Sequence, residues 1–97
     1  MLFRSNTFIG INAGQGQAGN TNCGSYNVAI GRNAGRYIRN GGHNILLGQS
    51  AGMSLNGAYF NTIIGYCAGS SNTSGSKNVF LGLCAGKINT TGGYNVF

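Results

Sequence analysis

The sequence predicts an all-β fold, a parallel β-solenoid of about five 17-residue coils in one domain spanning residues 1–97. Three observations predict it. Near-identical segments begin at Asn6 ("NTFIGINAG"), Asn27 ("NVAIGRNAG"), Asn44 ("NILLGQSAG"), Asn61 ("NTIIGYCAG") and Asn78 ("NVFLGLCAG"), and a partial copy begins at Asn95. From Asn27 to Asn95 the spacing is always 17, whereas Asn6 lies 21 before Asn27, which places four extra residues within Gly14 to Asn22. Finally, a 17-residue unit is too short for a strand, a helix and a return, yet it suffices for a short strand plus turns.

With the repeating asparagine as position 1, each position has a physical demand. Position 2 (Thr7, Val28, Ile45, Thr62, Val79, Val96) and position 4 (Ile9, Ile30, Leu47, Ile64, Leu81) are mostly β-branched and share a face of a strand. Position 5 is always glycine and positions 8 and 9 are always Ala-Gly, so a strand of about four residues ends at a glycine turn. A weaker, more polar second strand is expected around positions 10 to 14, as in Arg36-Tyr37-Ile38-Arg39 and Met53-Ser54-Leu55. A turn follows at Asn40-Gly41, Asn56-Gly57, Gly75 and Gly92-Gly93. The position 1 asparagines suit either an amide ladder along the stack or turn chemistry at the strand entrance.

Position 3 holds Phe8, Ala29, Leu46, Ile63, Phe80 and Phe97. With positions 2 and 4 filling the coil, position 3 faces outward and is apolar in every copy. A strand apolar on both faces is buried on both. Those six residues are therefore expected to form an interface with another copy of the chain. Position 17, just before each asparagine, holds Tyr26, His43, Phe60, Lys77 and Tyr94, a mixture expected at a strand edge near solvent.

Composition bounds the function. The chain has six Lys or Arg and no Asp or Glu, for a formal net charge of +6. One reading is an anionic partner such as a glycan or lipopolysaccharide, for which Arg32, Arg36 and Arg39 in one repeat are the candidate contacts. The other is that stacked repeats tolerate few charges and that acidic residues lie elsewhere in a longer protein. The scatter of the remaining positive residues favours the second, and no aromatic-basic interleaving points to nucleic acid. General acid-base catalysis draws on Asp, Glu or His, and the chain offers only His43, so no enzyme is expected. No CxxC or HxxxH spacing supports a metal, and no cofactor motif is present. Cys23, Cys67 and Cys84 are odd in number; Cys67 and Cys84 share position 7, in a column continued by Asn12, Asn33 and Ser50. Small side chains at a tight turn explain them, with interchain bridging as the alternative. A disulfide between stacked neighbours fits poorly, because coils about 4.8 Å apart exceed the usual Cβ separation. No apolar run is long enough to span a bilayer, and Met1-Leu2-Phe3-Arg4 does not resemble a signal peptide.

The segments "YNVAIG", "HNILLG", "FNTIIG" and "KNVFLG", each followed by two residues and Ala-Gly, resemble the head repeats of YadA-like trimeric autotransporter adhesins, whose signature is Asn-Ser-Val-Ala-Ile-Gly. Val28-Ala29-Ile30-Gly31 matches its core, while Asn27 stands where the signature has serine. The period of 17 is longer than the adhesin head's, so the Asn-x-x-Ile-Gly-x-x-Ala-Gly arrays of phage tail fibres and related trimeric fibre proteins are the nearer resemblance. It implies a left-handed β-roll, three chains in a rod, position 3 toward the trimer axis, and an extracellular place on a virion or cell-surface appendage. The expected function is a non-enzymatic fibre segment that projects or contributes to host attachment. The alternatives are a glycan- or lipopolysaccharide-binding module and a self-assembling extracellular filament subunit. Irregular positions 10 to 14 disfavour an ice-binding surface. Phe97 stops in mid-strand, from which a fragment of a longer fibre or end-to-end stacking of coils is expected.

Overall fold

A computed structural model describes residues 6–15 and 25–97. Cys23 and most of the stretch assigned to the four extra residues lie outside that set. Five three-residue strands follow in chain order: β1 (Thr7–Ile9), β2 (Val28–Ile30), β3 (Ile45–Leu47), β4 (Thr62–Ile64) and β5 (Val79–Leu81). All pair in parallel with their sequence neighbours in one sheet of order β1-β2-β3-β4-β5. The register joins equivalent repeat positions, as in Ile45↔Thr62, Leu46↔Ile63 and Leu47↔Ile64. Five strands linked by four connections make a β-solenoid of about four turns, with no helix among the described residues.

The expected second strand does not form. Positions 7 to 12 curl instead, with Arg36 N–H donating to Asn33 O (3.0 Å) and Ile38 N–H to Gly35 O (3.0 Å). Only isolated bridges survive beyond the turn, at Arg39↔Asn56 and along Ser25↔Gly42↔Tyr59. The reason is backbone handedness. Position 7 is left-handed in every described copy, with φ of 63° at Asn12, 62° at Asn33, 62° at Ser50, 57° at Cys67 and 55° at Cys84. Asparagine tolerates that region better than most residues, which accounts for its use in the first two copies.

The interior is the reverse of the sequence expectation. Ala29, Leu46, Ile63 and Phe80 at position 3 are fully buried inside the coils, and Phe8 packs against them. Positions 2 and 4 point outward, with Ile9 56% and Leu81 54% exposed. Phe8, Ala29, Leu46, Ile63 and Phe80 are therefore core residues and not an interface column. Phe97 continues their stack, its ring 5.0 Å from that of Phe80. Parity explains the inversion. Positions 1 and 3 lie on the same side of a strand, and Asn27, Asn44, Asn61 and Asn78 at position 1 are buried. Ala34, Ala51 and Ala68 at position 8 close the opposite wall, together with Ile38, Leu55 and Asn72 at position 12.

The glycines make the narrow interior possible. A Cβ at Gly52 would lie 2.7 Å from Leu46 Cδ2, and one at Gly86 would lie 2.7 Å from Phe97 Cδ2 and 2.8 Å from Phe80 Cδ1. Position 9 therefore stays bare so that position 3 can vary from Ala to Phe. At position 5 the demand is conformational and steric together. Gly31 has φ of 130°, and a Cβ there would lie 2.7 Å from Gly48 O in the next coil.

The asparagine ladder is present, and each amide does two jobs. Asn44 N–H and Nδ2 donate to Asn27 Oδ1 (3.1 and 3.0 Å), and Asn61 N–H and Nδ2 donate to Asn44 Oδ1 (3.0 and 3.1 Å). Within each coil Nδ2 also donates to the carbonyl at position 15: Asn44 to Ala58 O (2.9 Å), Asn61 to Gly75 O (2.9 Å), Asn78 to Gly92 O (2.8 Å). The first set joins neighbouring coils, and the second ties the end of a coil to its own start. Buried amides are thereby hydrogen-bonded, as burial requires.

Candidate interaction surfaces

The outward sheet face carries a run of exposed apolar side chains. Ile9, Ile30, Ile45, Ile64, Leu81 and Val96 are exposed on positions 2 and 4, while Val28, Leu47, Thr62 and Val79 are half-buried. Position 6 borders this face with Ile11, Arg32, Gln49, Tyr66 and Leu83, all exposed. Parallel register aligns every column with the stack, so the surface is ridged at the ladder spacing of about 4.8 Å. Arg32 is the one charge among these three columns.

A second surface runs along position 17. Tyr26, His43, Phe60, Lys77 and Tyr94 all adopt φ between 58° and 61°, an unusual state for bulky residues. Each of the later four is held by its own N–H donating to the preceding coil: His43 to Ser25 O, Phe60 to Gly42 O, Lys77 to Tyr59 O and Tyr94 to Ser76 O, at 3.0–3.1 Å. The side chains stack in consequence. The His43 ring lies between Tyr26 (5.0 Å) and Phe60 (4.9 Å). Lys77 Nζ donates to Tyr94 Oη (2.9 Å) and sits 4.9 Å from the ring centre. That hydrogen bond, and then the ammonium charge, holds the Tyr94 phenol below its ordinary pKa. The column is thus edge-like and exposed, and it is ordered ring on ring. The faces of His43 are occupied by its neighbours, so a sugar ring would find edges there and not open faces.

The basic residues of the second repeat are used unequally. Arg32 is exposed on the border of the sheet face. Arg36 is half-buried, donates from Nε to Gln15 Oε1 (3.2 Å) and lies 5.0 Å from the Tyr37 ring centre. Arg39 is half-buried beyond the turn. Cys67 and Cys84 are free, half-buried thiols in adjacent coils. The described residues contain no group of three or more His, Cys, Asp or Glu able to hold a metal ion, and no helix long and apolar enough to cross a membrane.

Sequence reasoning missed the left-handed column at position 17, and no residue type there signals it. It also missed the outward role of positions 2 and 4, for which the parity of the asparagines was the available signal. No family model, curated protein or solved structure matches the chain.

Proposed function

We infer that the chain is a non-enzymatic structural segment of an extracellular fibre, on a virion or a cell surface, in which copies pack side by side through the outward face of positions 2 and 4. The apolar character of that face carries the reading. A parallel sheet is ordinarily covered on both sides, and here Ile9, Ile30, Ile45, Ile64 and Leu81 are uncovered. A second copy is the fitting cover, because its ridges repeat at the same spacing and its face bears no charge at positions 2 and 4. The resemblance to fibre-type repeats implies three chains, left-handed coils and a role in projecting a tip or contacting a host. Each 17-residue copy would then extend the rod by about 4.8 Å.

Light scattering of the native protein across concentrations tests this. The expected mass is three times 10.0 kDa. Ile64→Lys, which places a charge on the face without touching the interior, is expected to reduce that to one chain while circular dichroism stays unchanged. A single-chain mass for the unaltered protein at every concentration would overturn the reading. A mass that grows without limit would favour coils stacked end to end.

A further inference from the structure

We propose that Cys67 and Cys84 form a two-coordinate site for a soft monovalent metal ion, Cu(I), clamped between two coils of the solenoid. Both thiols are free and half-buried, in adjacent coils at the same repeat position. Their backbones are nearly identical, with φ of 57° and 55°. Each is fixed by its own N–H, Cys67 to Gln49 O (2.9 Å) and Cys84 to Tyr66 O (2.8 Å). Side chains in this column do meet across coils, since Asn12 Nδ2 donates to Asn33 Oδ1 (3.3 Å).

The spacing selects the chemistry. Equivalent atoms of neighbouring coils lie about 4.8 Å apart, and a sulfur–sulfur bond near 2.0 Å asks the Cβ atoms to come closer than that. One ion bonded to both sulfurs bridges a longer gap than a direct sulfur–sulfur bond does, as the ladder spacing asks. Zinc asks for four ligands, and no further His, Cys, Asp or Glu joins these two among the described residues. Thiolates favour Cu(I), for which two suffice here. Binding is written as Cu(I) plus two thiols giving an S–Cu–S centre of charge −1 and two released protons. A chain with six Lys or Arg and no carboxylate side chain places no acidic residue against that charge. A search for local CxxC spacing passes over such a site, because its ligands are 17 residues apart and meet only through the coil register.

The test is anaerobic titration of the reduced protein with Cu(I) against a chromogenic Cu(I) chelator, with X-ray absorption of the loaded species. One Cu(I) per chain with two sulfur neighbours is expected. Binding is expected to vanish in both Cys67→Ser and Cys84→Ser and to persist in Cys23→Ser. Serine already occupies this column at Ser50 with φ of 62°, so these variants keep the fold. Retention of Cu(I) by Cys84→Ser, a mass increase on loading that shows metal bridging two chains, or closure of a Cys67–Cys84 disulfide without metal uptake would each overturn the proposal.

Discussion

The coils that begin at Asn27 and Asn44 and those that begin at Asn61 and Asn78 share one backbone course but are filled by different chemistry. In the first pair position 12 is Ile38 and Leu55, both buried hydrocarbon. In the second pair it is Asn72 and Asn89, and a second amide ladder replaces the hydrocarbon: Asn89 Nδ2 donates to Asn72 Oδ1 (3.0 Å). Asn72 also donates to Gly75 O (3.0 Å) and Asn89 to Gly92 O (3.1 Å). The carbonyl at position 15 therefore accepts from two asparagines in the second half and from one in the Asn44 coil, where it belongs to Ala58. Position 3 is Ala29 beside Ile38 and Leu46 beside Leu55, but Ile63 beside Asn72 and Phe80 beside Asn89. At position 3 only Phe80 adds apolar volume, since Ile63 is an isomer of Leu46. A narrow coil can be held by apolar packing or by satisfied amides.

The largest expected effect comes from removing that volume. Phe80→Ala removes the largest apolar side chain of the amide half, which is fully buried and stacked on Phe97. The expected loss is about 3–5 kcal/mol, read by urea unfolding. Hydrogen exchange should show faster opening in the coils from Asn61 onward than in those before it. Equal loss of protection in both halves would break the comparison, because it would mean that the stack opens as a single unit.

Next comes a cycle at the boundary. A Cβ at Gly75 would collide with Asn72 Oδ1 and lie 3.1 Å from Asn78 Nδ2, and a Cβ at Gly92 would lie 2.7 Å from Asn89 Oδ1. Asparagine at position 12 thus needs glycine at position 15, whereas beside hydrocarbon that position is Gly41 in one coil and Ala58 in the next. Leu55→Asn alone is expected to cost about 2–4 kcal/mol, through lost burial and a poorly satisfied amide. Adding Ala58→Gly should recover about 1 kcal/mol or more of it as coupling between the two sites. Additive losses would show that the amide arrangement does not transfer between coils and depends on its neighbours in the stack.

How far the sequence disclosed this structure depends on what repetition can encode. Spacing fixed the strands, their parallel register and the glycine turns, because Asn, Gly and Ala-Gly recur at fixed offsets. Face assignment failed because positions 2, 3 and 4 are all apolar in most copies, so hydrophobicity alone had no direction. Only the buried amide of position 1 breaks that symmetry, through parity with position 3. Left-handed φ at position 17 was invisible for a different reason. It is imposed by hydrogen bonds to the preceding coil, such as Phe60 N–H to Gly42 O (3.0 Å), and not by residue preference. For the candidate surfaces, the basic cluster was legible as residues, but the engagement of Arg36 with Gln15 and Tyr37 depends on contacts across coils and side-chain geometry.

The smallest expected effect separates the two halves on the outside. Position 17 stacks ring on ring in the first half, Tyr26 on His43 on Phe60, and sets Lys77 on Tyr94 in the second. The Lys77 hydrogen bond and charge favour the Tyr94 phenolate, so Tyr94 is expected to ionise at lower pH than an ordinary tyrosine. The sign follows from a folded pKa below the unfolded one. Any stabilisation from the pair grows as pH rises through the folded pKa, is complete above the unfolded value near 10, and is lost as pH falls. Tyr94 is open to solvent, so the effect belongs to spectroscopy and not to stability. Ultraviolet titration of the five tyrosines should show one phenolate forming ahead of the rest, and Lys77→Met should return it to the group. If the early phenolate survives that substitution, the charge acting on Tyr94 comes from elsewhere in this cationic chain, and the outer columns of the two halves differ in shape alone.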